Sequence, residues 1–179
     1  SAPMKTQEEI MTFLSNEPLI EAEVTRTFID WPSLQNSAGK NLFFGVGLCT
    51  AKQPAVAVPF DILSFFFVAE RLKRFFNLSK IFVFIADIHA QTNAFMTPEI
   101  ISDSRSNILR TCKKIIHNFS FPNFEILVAS DVAQLESFQS IVKQLPPLGN
   151  QYLRQELADI IWLTQNKNLG IKLGWTIDN

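Results

Sequence analysis

The chain has 179 residues and a net charge of -1, with sixteen Lys and Arg against seventeen Asp and Glu; 47% of its residues are hydrophobic and 18% charged. That length fits one domain. The apolar content excludes overall disorder, and the balanced charge excludes a protein-wide basic field, so any contact with nucleic acid has to come from a local patch. Seventeen Phe stand against a single Tyr, Tyr152, so aromatic residues serve packing and Tyr152 is the exception.

Residues 1–40 read as a lead-in. Ser1-Ala2-Pro3 ahead of Met4 reads as an appended remnant, followed by a short helix over Gln7 to Leu14. Residues 41–179 read as one α/β domain. Leu42 to Leu48, Ile81 to Ala86 and Phe124 to Ala129 are short runs rich in Phe, Val and Ile, the pattern of strands buried on both faces. The spacing predicts a helix over Ile62 to Phe76, capped by Asp61. A second opens at Thr97-Pro98-Glu99, with N-cap, first-turn proline and first-turn acid, and runs to about Asn118. After the third strand, Ser130 or Asp131 is expected to cap a helix running to about Leu145. A last helix covers Gln151 to Thr164 and a last strand Gly170 to Ile177. Strands alternating with helices imply a three-layer α/β/α sandwich on a mostly parallel, Rossmann-like sheet, whose ligand sits at the carboxyl ends of the strands where the order reverses.

No apolar run reaches the length of a membrane span, because Asp61, Glu70 and Arg71 interrupt the greasiest stretch. Cys49 and Cys112 read as the thiols of a reducing, cytoplasmic protein. The spacing of these cysteines and of His89 and His117 gives no metal site, and no cofactor is expected.

Several places at or near the strand ends could carry chemistry. Gly45-Val46-Gly47 either serves a turn or lets a ligand approach the backbone; it lacks the third glycine of a dinucleotide fingerprint. Asp87, followed by His89, is either a cap or a ligand contact. On the wheel of the Thr97 helix, Arg110, Lys113 and Lys114 form a basic outer face, which is either solvated surface or a phosphate contact. Arg105 falls on the apolar side, where it either snorkels outward or reaches an anion or carboxylate. Tyr152 and Glu156 lie four apart on one helix stripe with Asp159 beyond. A phenol beside carboxylates anchors an ammonium or takes its proton, unless all three merely face water.

Tyr152-Leu153-x-x-Glu156-Leu157-Ala158, with Trp175 on the last strand, resembles the carboxyl-terminal signature of the cyclodipeptide synthases; Ala158 stands where that family has proline. Their fold is a HUP-type Rossmann domain related to the catalytic domain of class I tyrosyl- and tryptophanyl-tRNA synthetases. The resemblance implies a tRNA-dependent aminoacyl transferase that joins aminoacyl groups without ATP, with Tyr152 and Glu156 as catalytic residues and Arg110, Lys113 and Lys114 on tRNA. The family ends its first strand Gly-aliphatic-Ser, the serine being the acyl acceptor. Here Gly47 takes that place, with Cys49 and Thr50 nearby. Ala86-Asp87-Ile88-His89-Ala90 and Tyr152-x-x-Gln155-x-x-Asp159 are similar to segments of archaeal-type tyrosyl-tRNA synthetases, whose ATP motifs are not found here. Both relatives imply an amino-acid pocket at Gly45, Gly47, Asp87, Tyr152, Gln155, Glu156 and Asp159, walled by Trp175. The expected partner is an aminoacyl-tRNA or a free amino acid, and the alternative function is a non-catalytic binding paralogue of the synthetase domain.

Overall fold

A computed structural model of the chain describes residues 4–17, 31–48, 58–88, 97–147 and 149–175. The elements in chain order are α1 (Gln7–Asn16), α2 (Trp31–Gln35), β1 (Asn41–Gly47), α3 (Val58–Phe76), β2 (Ile81–Ala86), α4 (Pro98–Asn118), β3 (Phe124–Val128), α5 (Ala129–Ala133), α6 (Glu136–Gln144), α7 (Gln151–Lys167) and β4 (Leu169–Trp175).

The four strands form one all-parallel sheet in the order β3-β2-β1-β4. Its strands are too apolar to leave a face in water, and both faces are covered. Leu42, Phe44, Val46, Ile81, Val83, Ile85 and Ile171 join Ile10 of α1, Ile62, Phe66 and Ala69 of α3, and Ile108 and Cys112 of α4 in one core. Phe43, Phe82 and Phe84 point the other way, to Val132, Phe138, Ile141, Ala158, Trp162 and Leu163 of α5, α6 and α7. The phenylalanines fill both interfaces. Phe43 and Phe82 stack across neighbouring strands with centroids 4.7 Å apart, and Phe44 meets Phe66 of α3 edge-on at 5.3 Å. The structure is therefore a Rossmann-like α/β domain with helices on both faces of the sheet.

Several expected bounds shift. α3 starts at Val58, so Pro59 lies in its first turn, where its missing N–H costs nothing, and Asp61 is inside the helix rather than capping it. The single helix expected after β3 is two, α5 and α6, separated at Gln134 and Leu135. Neither Ser130 nor Asp131 is a cap: Val128 precedes α5 with no side-chain cap bond. Thr97 does cap α4, its hydroxyl accepting from the Ile100 N–H at 3.3 Å. α2 was not foreseen, α1 and α7 extend beyond their expected ends, and β4 starts one residue earlier, at Leu169. Residues 49, 50, 89 and 177 lie outside the described residues, and with them Cys49, Thr50, His89 and the expected end of the last strand.

β1 to β2 and β2 to β3 step in one direction across the sheet, through α3 and α4 among the described residues, whereas β3 to β4 crosses to the far edge through α5, α6 and α7. The direction reverses between β1 and β4. Such a reversal leaves a crevice at the carboxyl ends of the two strands, because the connection leaving β1 runs through α3 on one face while the one entering β4 runs through α7 on the other.

Candidate functional site

The parallel register brings Gly45 opposite Phe84 on one side and Gly174 on the other, and Gly47 opposite Ala86. Paired residues share a face, and these share it with Phe43, which packs toward α7. At the reversal, then, the sheet presents Gly45, Gly47, Gly174 and Ala86 to α7: three residues without a side chain and one with a methyl. A Cβ added at Gly45 would meet only two carbonyl oxygens within 4 Å among the described residues, Leu173 at 3.9 Å and Phe84 at 4.0 Å. Among the described residues no side chain comes within 4 Å of that added Cβ.

α7 supplies the opposite wall. Ala158, Trp162 and Leu163 turn inward, while Leu153 and Leu157 stay exposed on the outer side. The helix is tied to α6 twice: Trp162 Nε1 donates to Ser137 Oγ at 3.0 Å, and Arg154 Nη2 to the Val142 carbonyl at 2.8 Å. On this anchored helix Asp159 is buried, with 4% exposure. Gln155, four residues before it, carries an Nε2 that is buried with no hydrogen-bond partner among the described residues. An unmet buried amide donor is costly. Glu156 reaches across to β4, where Lys172 Nζ stands 3.4 Å from its Oε1; the two side chains are 39% and 27% exposed.

Tyr152 lies in the first turn of α7 and Trp175 at the end of β4, opposite Val46. Backbone placement thus puts both at the carboxyl edge; their side chains lie outside the described residues. Gly47 closes β1 at the same edge.

Asp87 follows β2 at the same edge and is fully buried. Its Oδ2 accepts from Arg105 Nη1 of α4 at 3.0 Å and its Oδ1 from the Ser130 N–H of α5 at 2.9 Å. Of the two expectations for Arg105, the carboxylate is the one found. Asp87 faces protein groups through both oxygens, so it holds the ends of β2 and β3 and the side chain of Arg105 rather than presenting an open carboxylate.

Arg110, Lys113 and Lys114 are all exposed on the outward face of α4, with Arg110 Nη1 donating to Asn107 Oδ1 at 3.2 Å. Cys112 points the other way, into the core, and burial pushes its thiol up to about 12. It is an inert packing group. No cluster of metal-ligating side chains occurs among the described residues, and no helix there is long and apolar enough to cross a membrane.

Sequence reasoning found Gly45, Gly47, Gln155, Glu156 and Asp159 but passed over Lys172 and Gly174. The signal was their spacing of two in an otherwise apolar strand, which sets both on one face; that this face looks at α7 depends on the pairing of β4 with β1.

No protein-family model matches the sequence, and no curated protein matches it. Among solved structures, the chain is similar to AlbC, a cyclodipeptide synthase from Streptomyces noursei, with a TM-score of 0.42 and 8% identity over 59% of this chain and 50% of that one. The chain spans half the length of that protein.

Proposed function

We propose that the domain binds the aminoacyl group of one aminoacyl-tRNA at the β1/β4 crevice and joins its amine to the acyl group of a second aminoacyl-tRNA without ATP. The observation that supports this reading is that, among the described residues, no side chain comes within 4 Å of a Cβ added at Gly45, on the sheet face that packs against α7. A ligand seated there presents its α-ammonium to Glu156 and Asp159. In binding, the ammonium takes over the role of Lys172 beside Glu156, and Glu156 then accepts a proton from it. Tyr152 orients the same amine and Gln155 donates to an acyl oxygen. The free amine attacks the ester carbonyl of the second aminoacyl-tRNA. A C–N bond forms, that ester's C–O bond breaks and its tRNA leaves with its terminal hydroxyl protonated; the α-amine of the resulting dipeptidyl-tRNA then attacks the remaining ester in the same way, closing the diketopiperazine and releasing the other tRNA. The ester is already activated, which is why no ATP motif is required. Arg110, Lys113 and Lys114 hold tRNA phosphates.

Gly47 favours a second reading. Glycine has no hydroxyl to acylate, so transfer has to be direct, and a domain that only binds an amino acid keeps the same pocket without the chemistry. Incubation with charged tRNAs followed by mass spectrometry tests the first reading: a dipeptide or diketopiperazine is expected, and its loss in Tyr152→Phe and Glu156→Gln. No product from any charged tRNA, together with a rise in melting temperature on adding one free amino acid, selects the second. Neither product nor a thermal shift with any of these ligands overturns both.

A further inference from the structure

The amino edge of the sheet, at the opposite end of the strands from the crevice, holds a cavity that the proposed transfer does not use. Its volume is about 520 Å³, and it lies between the starts of β1 and β2 and the last turn of α7. Ser79, Lys80 and Phe82 line it from the side of β2, and Gln165 and Lys167 from α7.

Two ammonium groups meet at one ring there. Lys80 Nζ and Lys167 Nζ each stand 5.7 Å from the centre of the Phe82 ring, so at most twice that distance separates them, and Lys167 Nζ is also 5.8 Å from the Trp162 ring. A single carboxylate answers them: Glu125 Oε1 lies 2.8 Å from Lys80 Nζ. Among the described residues no oxygen accepts from Lys167 Nζ, whose contacts are the two rings. A lysine in the last turn of a helix often serves the terminal carbonyls. Here the Trp162 and Lys167 carbonyls accept from the side chains of Asn166 at 3.0 Å and Asn41 at 2.6 Å, and the Asn168 carbonyl from the Asn41 N–H at 2.9 Å. The cavity wall therefore carries one positive charge more than Glu125 neutralises.

The donors select the ligand. An ammonium brings three N–H groups and no acceptor, and the Ser79 hydroxyl and the Gln165 amide add neutral donors from the two sides. A planar carboxylate suits the fork of an arginine; separate point charges around a cavity suit a tetrahedral anion, whose oxygens point in several directions. The volume is larger than such an ion needs and falls in the range of small-molecule sites. The geometry points to a binding site for a small phosphate monoester at the amino edge, held by Lys80 and Lys167. This site does not depend on the reading of the β1/β4 crevice.

The test is calorimetric titration of the full chain, at constant ionic strength, with orthophosphate, glycerol 3-phosphate and acetate. Both phosphates should bind saturably, the ester more tightly than the ion, and acetate about tenfold more weakly than either. Lys167→Met keeps the stem over both rings and removes the charge; phosphate affinity should fall about tenfold, the range of a hydrogen bond to a charged group, with the denaturant midpoint unchanged. Glu125→Gln should tighten phosphate binding, because it frees Lys80 and removes the one negative charge. Should Lys167→Met fail to fold, Lys80→Met should show the same loss. Orthophosphate binding with no gain for the ester overturns the monoester. Absence of saturable phosphate binding, equal binding of acetate, or phosphate affinity that survives replacement of either lysine overturns the site.

Discussion

Lys172 Nζ on β4 and Glu156 Oε1 on α7 stand 3.4 Å apart, closing the crevice between the last strand and the helix that leads into it. Both side chains are partly exposed, so the pair contributes little to folding, on the order of 0–1 kcal/mol. In the proposed function Lys172 is the cation that a substrate ammonium displaces from Glu156.

Glu156→Gln should therefore separate function from stability. Denaturant unfolding should shift by no more than about 1 kcal/mol, while product formation falls at least tenfold. Lys172→Met should leave stability equally intact and weaken discrimination against ligands that lack an ammonium, read as the ratio of thermal shifts for an amino acid and its des-amino analogue. An unfolding shift of several kcal/mol in either variant would assign the pair to the core instead.

The two glycines of contrasting surroundings give a second prediction. A Cβ at Gly45 stays in ordinary contact, with nothing nearer than 3.9 Å among the described residues, whereas one at Gly170 would lie 2.7 Å from Lys40 Cβ and 3.3 Å from the Asn41 carbonyl. Gly45→Ala should unfold within about 1 kcal/mol of the parent, and the smaller conformational freedom of its unfolded chain works in its favour. Gly170→Ala, at the amino edge, should lose about 1–3 kcal/mol through overpacking and leave ligand binding unchanged. Equal losses in the two variants would show that the space over Gly45 is filled.

The outer face of α4 is tested by salt. Arg110, Lys113 and Lys114 are exposed, so alanine at all three should alter unfolding little, by roughly 0.5 kcal/mol or less at each position. Affinity for tRNA should fall, and the slope of log affinity against log salt should flatten by about one for each phosphate the variant no longer neutralises. An unchanged slope would return these residues to plain solvated surface.

Cys112 supplies a prediction from pH. Burial raises its thiol from 9.0 to about 12, so the folded chain holds the proton more tightly than the unfolded one. Below pH 9 both forms are protonated and nothing changes. Between pH 9 and 12 only the unfolded chain ionises, and stability falls with rising pH by up to about 1.4 kcal/mol per pH unit. Cys112→Ala should remove that part of the alkaline decline, measured by denaturant midpoints from pH 8 to 10.5. Identical slopes for parent and variant would contradict it.

How much of this was readable from sequence depends on which interaction decides each element. β2 was delimited correctly as Ile81–Ala86 because six consecutive apolar residues admit little but a strand buried on both faces. The start of α4 was equally legible, since the Thr97 cap is a contact within one turn. The break between α5 and α6 was not. Ser130 reads as a cap by type, but its N–H is taken by Asp87, forty-three residues earlier. Arg105 showed itself as a charge on an apolar face without showing its partner, and Lys172 meant nothing until the register of β4 on β1 set it opposite α7. Local rules reached the elements and half of the site; the rest is fixed by contacts between segments far apart in the chain.

The central claim is that an aminoacyl group lies on the floor at Gly45, and filling that floor tests it most directly. Gly45→Val places a branched side chain where no other side chain now stands within 4 Å of the added Cβ among the described residues. Filter binding of a charged tRNA and of the same tRNA uncharged, to parent and variant, reads the aminoacyl contribution as the ratio of the two affinities. The parent should favour the charged form and the folded variant should bind both alike, with affinity for the uncharged tRNA intact. A variant that still prefers the charged tRNA as strongly as the parent would contradict the account.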